Sequence, residues 1–125
     1  MILPVTFTFI ALTSIAMFIL VAWIGLTRAQ LGVLRGDGGD PVLFKRIRVH
    51  ANFVETAPLF ALTLGTGEAV GLGAGLLWLA VISYGLGRIG HHVLYDSRFR
   101  VLPMTLTVAP SGLIGLWVLY RLWIV

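Results

Sequence analysis

Arg48-Val-His50-Ala-Asn52-Phe-Val-Glu55-Thr-Ala-Pro58-Leu-Phe60 sets an arginine, an amide and a carboxylate in a segment otherwise apolar enough to cross a membrane. At 3.6 residues per turn, positions 48, 52 and 55 fall on one helix face. A charged group at membrane depth costs roughly 3 kcal/mol unless paired, so such groups face a bundle interior or a wet cavity and mark a functional site. The segment therefore reads as a helix presenting a polar ligand face within a membrane bundle.

The rest of the chain supplies the bundle. An apolar fraction of 58%, a charged fraction of 11% and a mean hydropathy of +0.99 lie far from soluble-domain averages. Residues 2–27 carry no charge, 49–67 carry only Glu55, and 69–87 and 101–120 carry none. A bilayer core of about 30 Å needs roughly 20 helical residues, which each of these stretches approaches or exceeds. The expected fold is all-α: an integral membrane four-helix bundle forming one domain over 1–125, with helices near 2–35, 44–66, 69–95 and 101–123. The first stretch lacks a basic leader and is longer than a signal core, so it is expected to stay in the mature protein. With no cysteine, a protein thiol nucleophile is excluded, and sulfur chemistry must come from a ligand.

The net charge of +4 would suit nucleic acid, but the basic residues are placed otherwise. Eight of nine, namely Arg28, Arg35, Lys45, Arg46, Arg48, Arg88, Arg98 and Arg100, fall in or beside the first and third loops. This bias puts those loops in the cytoplasm and both termini outside, in a bacterial inner membrane or an intracellular membrane. No nucleic-acid partner is expected. Gly36-Asp37-Gly38-Gly39-Asp40-Pro41 ends the first helix as a linker; no strand precedes it and no Lys-Ser/Thr ends it, so it is not a phosphate cradle. Gly65, Gly67, Gly71 and Gly75 suit close helix packing around the second turn. Pro58, Pro103 and Pro110 lie within helices, and Trp117 and Trp123 suit interfacial anchoring.

A second polar face lies on the third helix, where Arg88, His91 and Tyr95 are spaced i, i+3, i+7 while His92 points about 100° away. The antiparallel course brings this face to the depth of the first. Together they offer guanidinium, imidazole, amide, phenol and carboxylate groups, a set suited to a zwitterionic or anionic ligand. A plainer role for Glu55 is an ion pair with Arg48 or Arg88 that only ties the bundle. Metal binding by His91 and His92 is not expected, because adjacent side chains diverge on a helix.

The two motifs in this order resemble the MAPEG family, the membrane-associated proteins in eicosanoid and glutathione metabolism. The resemblance covers the whole chain. It implies a homotrimer of four-helix bundles holding glutathione between subunits near the cytosolic side, with membrane lipid and a hydrophobic small-molecule substrate as further partners. On this resemblance Arg28, Arg48, His50, Asn52, Glu55, Arg88, His91 and Tyr95 bind glutathione, and Glu55 receives its amino group. Thr56 stands where some members have a tyrosine. The thiol-activating arginine is matched by Arg100, three residues before Pro103, with Arg98 as the alternative. The implied function is a glutathione transferase, with or without peroxidase activity, acting on hydrophobic electrophiles or lipid hydroperoxides. Two other classes stay open: a non-catalytic lipid-binding member of the same family, and a small proton-coupled transporter using Glu55.

Overall fold

The computed structural model describes residues 2–124 and contains no strand among them. Four helices, α1 Pro4–Leu31, α2 Pro41–Ala69, α3 Ala74–Val93 and α4 Val101–Trp123, are joined by short loops, with a 3-10 turn at Arg98–Arg100. By length and composition α1 qualifies as a membrane span, and so does α4 together with the 3-10 turn. The polar faces fall on the other two helices, α2 and α3. Large apolar side chains point outward from all four helices, among them Phe18, Leu62, Leu86 and Leu113. An exterior this apolar is the inverse of a water-soluble bundle.

Inside, Phe60 stacks on Tyr84 at 4.7 Å and meets Phe9 edge-on at 4.8 Å, joining α2 to α3 and α1. Leu64 and Leu77 complete this core with Ile114 of α4. α2 packs against each of the other helices, and the most extensive contact is between α3 and α4.

That contact is closed by Gly87. A Cβ at this position would lie 2.7 Å from the Pro103 carbonyl oxygen and 2.8 Å from the Thr107 amide nitrogen, both backbone atoms of α4. One turn on, a Cβ at Gly90 would lie 3.0 Å from Pro103 Cβ. The glycines named from sequence behave differently: Gly67 packs on Ile114 of α4, whereas Gly71 adopts φ 91° in the α2–α3 turn and Gly75 meets nothing. Close approach beside the second turn is thus confined to Gly67, and the backbone-to-backbone approach belongs to α3 and α4. Pro110 lacks the amide that would bond the Leu106 carbonyl, and Ser83 Oγ of α3 donates to that oxygen at 2.9 Å. A neighbouring hydroxyl satisfies the group that the proline leaves open.

Helix ends depart from the sequence expectation for local reasons. α1 stops at Leu31 rather than near residue 35, because Gly32 takes the left-handed conformation (φ 67°) and the Val33 amide closes back on the Arg28 carbonyl at 3.0 Å. α2 starts at Pro41 rather than 44, since Asp40 Oδ1 accepts the Leu43 amide at 2.7 Å and proline fits the first helical position. α2 also runs on to Ala69, beyond the expected 66, and α3 begins at Ala74 rather than 69, after the turn at Gly71. α3 ends at Val93, so Tyr95 lies in the loop beyond it.

α1 has no cap of its own, since Leu3 precedes Pro4. Glu68, at the far end of α2, supplies one. Its carboxylate accepts the Val5 amide at 3.0 Å, the Thr6 amide at 2.9 Å and the Thr6 hydroxyl at 2.7 Å. Negative charge against two orphan amides at a helix N-terminus is favourable. Burial alone would push the Glu68 carboxyl up; the bonds from the Thr6 side chain, the Thr6 amide and the Val5 amide outweigh it, leaving the carboxyl below its ordinary value.

Two predictions follow from these contacts. Gly87→Ala should destabilise the protein by about 2 kcal/mol or more, because the obstructing atoms are backbone and cannot rotate away. Thermal unfolding in detergent measures this, and Gly75→Ala, which meets open space, should stay close to the parent. A carboxyl held low in the folded state adds stability above its unfolded pKa and loses it as pH falls through the folded value. Glu68→Gln should therefore flatten the decline in melting temperature on acidification, and should lower stability near neutrality by about 1 kcal/mol.

Candidate functional site

Asn52 is the link between the two polar faces. Its Nδ2 donates to the Arg48 carbonyl at 3.0 Å and meets His91 Nε2 at 3.0 Å. A carbonyl oxygen only accepts, so the amide orientation is determined: both N–H groups are used and Oδ1 is left open. His91 then accepts at Nε2, and a neutral ring carries its proton on Nδ1. That nitrogen is buried and has no partner among the described residues.

His91, only 5% exposed, is the hub of the site. The Tyr95 ring meets it edge-on at 5.6 Å even though Tyr95 is past the helix end. Arg98 is turned aside, with its guanidinium 4.9 Å over the Phe99 ring. Lys45 pairs with Asp96 at 2.8 Å and lies 5.7 Å from the Tyr95 ring centre, tying the start of α2 to the loop after α3.

Arg88 does not meet Glu55. The crossing at Gly87 turns it to α4, where Nε donates to Thr107 Oγ1 at 3.2 Å and Nη2 approaches Met104 Sδ at 3.2 Å. The structural ion pair from Glu55 to Arg48 or Arg88 is absent among the described residues. Glu55 and Arg48 are both exposed on the protomer surface, and Glu55 stands beside exposed Val54, Pro58 and Leu59.

His50 and Arg28 stand apart from this face. His50 is about 200° around α2 from Arg48, and its Nε2 is buried without a partner, as is Nε of Arg28 on α1. Sequence reasoning missed Tyr84. Its hydroxyl is 3.0 Å from Thr56 Oγ1, so the two faces touch a second time, one turn deeper. The signal was present, since Tyr84 continues the stripe of Arg88, His91 and Tyr95 by one turn.

The site therefore consists of an imidazole and an amide held in register, with Tyr95 against the imidazole, Arg88 one turn back and turned to α4, and Arg48 and Glu55 exposed on the protomer surface. It can hold carboxylates by its arginines and an ammonium by Glu55, and it can favour an anion near His91. No match to the chain is found among curated proteins. The family model described as MAPEG family matches residues 6–120 of the 125, which takes in all four helices and every residue of the site, and the chain belongs to that family.

Proposed function

We propose that the protein is a glutathione-dependent membrane transferase, with peroxidase activity within its chemical reach, working as a homotrimer of four-span subunits. The observation that carries this reading is the placement of Glu55. A carboxylate without a partner, on an apolar outer face, needs a cationic ligand group or a neighbouring subunit to offset its desolvation. In the proposed assembly Arg48, Asn52, Glu55, Arg88, His91 and Tyr95 come from one subunit. Arg28 and His50, which lie on another side of the protomer, come from the next. Glutathione offers two carboxylates to the arginines and one ammonium to Glu55.

A free thiol titrates near 8.5, and a guanidinium beside it favours the thiolate, which is the nucleophile. Arg100 is the favoured activator, since it stands three residues before Pro103 as the resemblance implies, while the Arg98 guanidinium lies over the Phe99 ring. The sulfur pair then forms a C–S bond as the electrophile's leaving group departs or its strained ring opens. With a hydroperoxide, the thiolate takes the terminal oxygen as the O–O bond breaks, and a second glutathione reduces the resulting sulfenate to the disulfide.

A second reading, a non-catalytic lipid-binding member, draws on an apolar groove of about 360 Å³ between α3 and α4, lined by Leu76, Leu79, Ser83, Leu106, Pro110 and Trp117. Turnover of chlorodinitrobenzene with glutathione supports the transferase; saturable glutathione-independent lipid binding with no turnover supports the binder.

Glu55→Gln should weaken glutathione binding by about ten- to a hundredfold, the equivalent of losing roughly 1.5–3 kcal/mol from a charge-assisted contact. Titration calorimetry gives the affinity. The melting temperature without glutathione should hardly change, because Glu55 supports nothing within the protomer; a collapse in melting temperature with unchanged affinity would sink the assignment.

Arg100→Ala should raise the pKa of bound glutathione and lower turnover at neutral pH, read from the ultraviolet absorbance of the thiolate against pH. Lysine should restore the effect only in part, since a compact ammonium lacks the planar fork. Loss of the thiolate in Arg98→Ala but not in Arg100→Ala would move the role by two residues, and no change in either would remove it from this loop.

A further inference from the structure

Arg46 lies one turn before His50 on the side of α2 that faces α1, away from Arg48, Asn52 and Glu55. Its guanidinium lies 4.2 Å over the Trp23 ring, and Nη1 donates to Thr27 Oγ1. That hydroxyl is 6% exposed and passes its own hydrogen to the Trp23 carbonyl at 2.7 Å. On the α3 side, the His92 ring meets Trp23 edge-on at 5.5 Å. Side chains of three helices thus converge on the Trp23 ring, with the Arg46 guanidinium over its face and His92 at its edge.

Among the described residues no side-chain carboxylate neutralises the guanidinium. The chain has five, and each is placed elsewhere. Asp37 accepts the Gly39 amide, Asp40 caps α2, Asp96 pairs with Lys45, Glu68 caps α1 at the opposite end, and Glu55 lies on the other face. His92 Nδ1 is buried and has no partner among the described residues. A buried polar atom with no partner costs about 1–3 kcal/mol, so the arrangement lacks a group that this nitrogen can bond. A metal ion does not fit: no three metal-ligating side chains stand together among the described residues, and the guanidinium repels a cation. An oxyanion fits the charge and the donors that remain, the guanidinium N–H groups not given to Thr27 and a protonated His92 Nδ1.

Depth points to its source. Arg46 is the sixth residue of α2, about 8 Å from the helix start at 1.5 Å per residue. It shares that end of the bundle with Lys45 and the basic first loop, where a basic pocket between helices meets lipid headgroups. We propose that Trp23, Thr27, Arg46 and His92 form an oxyanion subsite between α1, α2 and α3 that takes a phosphate at headgroup level. The subsite does not depend on glutathione binding.

The test is thermal unfolding of the full chain in a neutral detergent, with added phosphatidylglycerol, phosphatidylcholine or inorganic phosphate. Phosphatidylglycerol should raise the melting temperature saturably, and phosphatidylcholine should not. The lipid concentration giving half of the shift should rise at least about tenfold in Arg46→Gln and in His92→Phe, and stay unchanged in Arg35→Gln. His92→Phe keeps a ring against Trp23 while removing the nitrogen, so it decides the matter if Arg46→Gln does not fold. A shift of equal size from inorganic phosphate supports the subsite and names the free anion as its occupant. Equal responses to both lipids with none to phosphate, or a phosphatidylglycerol response unchanged in the variants that fold, would overturn the proposal.

Discussion

The approach of α3 to α4 at Gly87 governs the polar end of the molecule. With no side chain at that position, the α3 backbone rests against the Pro103–Thr107 segment, and the next residue, Arg88, is delivered to Thr107 Oγ1. The same hydroxyl donates to the Pro103 carbonyl at 2.9 Å, so the arginine is held by a group itself fixed to the α4 backbone. His91 follows three residues later and is turned to α2, where Asn52 meets it. A wider crossing would free Arg88 and loosen the register of His91 against Asn52. Packing and site geometry are one constraint here, which is why a glycine outside the polar motifs matters to them.

Periodicity made much of this legible. Arg48, Asn52 and Glu55 share a face because 3.6 residues per turn puts them there, and long charge-poor stretches in a 125-residue chain leave room for little besides a helical bundle. What periodicity cannot read is partnership over long sequence separation. The carboxylate that caps α1 is Glu68, 62 residues away from Thr6, and nothing local to Pro4 announces it. The apolar pattern of α1 carries no sign that the helix ends at Gly32 rather than at Gly36, since both glycines take the left-handed conformation. The plainer alternative, an ion pair of Glu55 with Arg48 or Arg88, fails for Arg88 because its place after Gly87 turns it to a hydroxyl and a thioether of α4. His50 was grouped with its neighbours by resemblance, although its two-residue offset from Arg48 already placed it on the opposite side of α2.

The polar inventory of a single protomer is left incomplete, and incomplete in an ordered way. Arg48 and Glu55 are exposed on one face; Arg28 Nε and His50 Nε2 are enclosed without partners on another; His91 Nδ1 points into the site with nothing to bond. An isolated subunit in lipid would carry each as a separate desolvation cost, and the marginal stability of helical bundles tolerates few of these. Had the groups been distributed at random, no one ligand would answer them. Instead the acceptor is set apart from the donors, with Arg48 toward the loop and Glu55 about two turns deeper on α2. A ligand with a carboxylate at each end and an ammonium beside one of them matches that order, and in the proposed assembly a second subunit would supply the other face. The proposed glutathione site thus accounts for the one carboxylate that the bundle itself does not use.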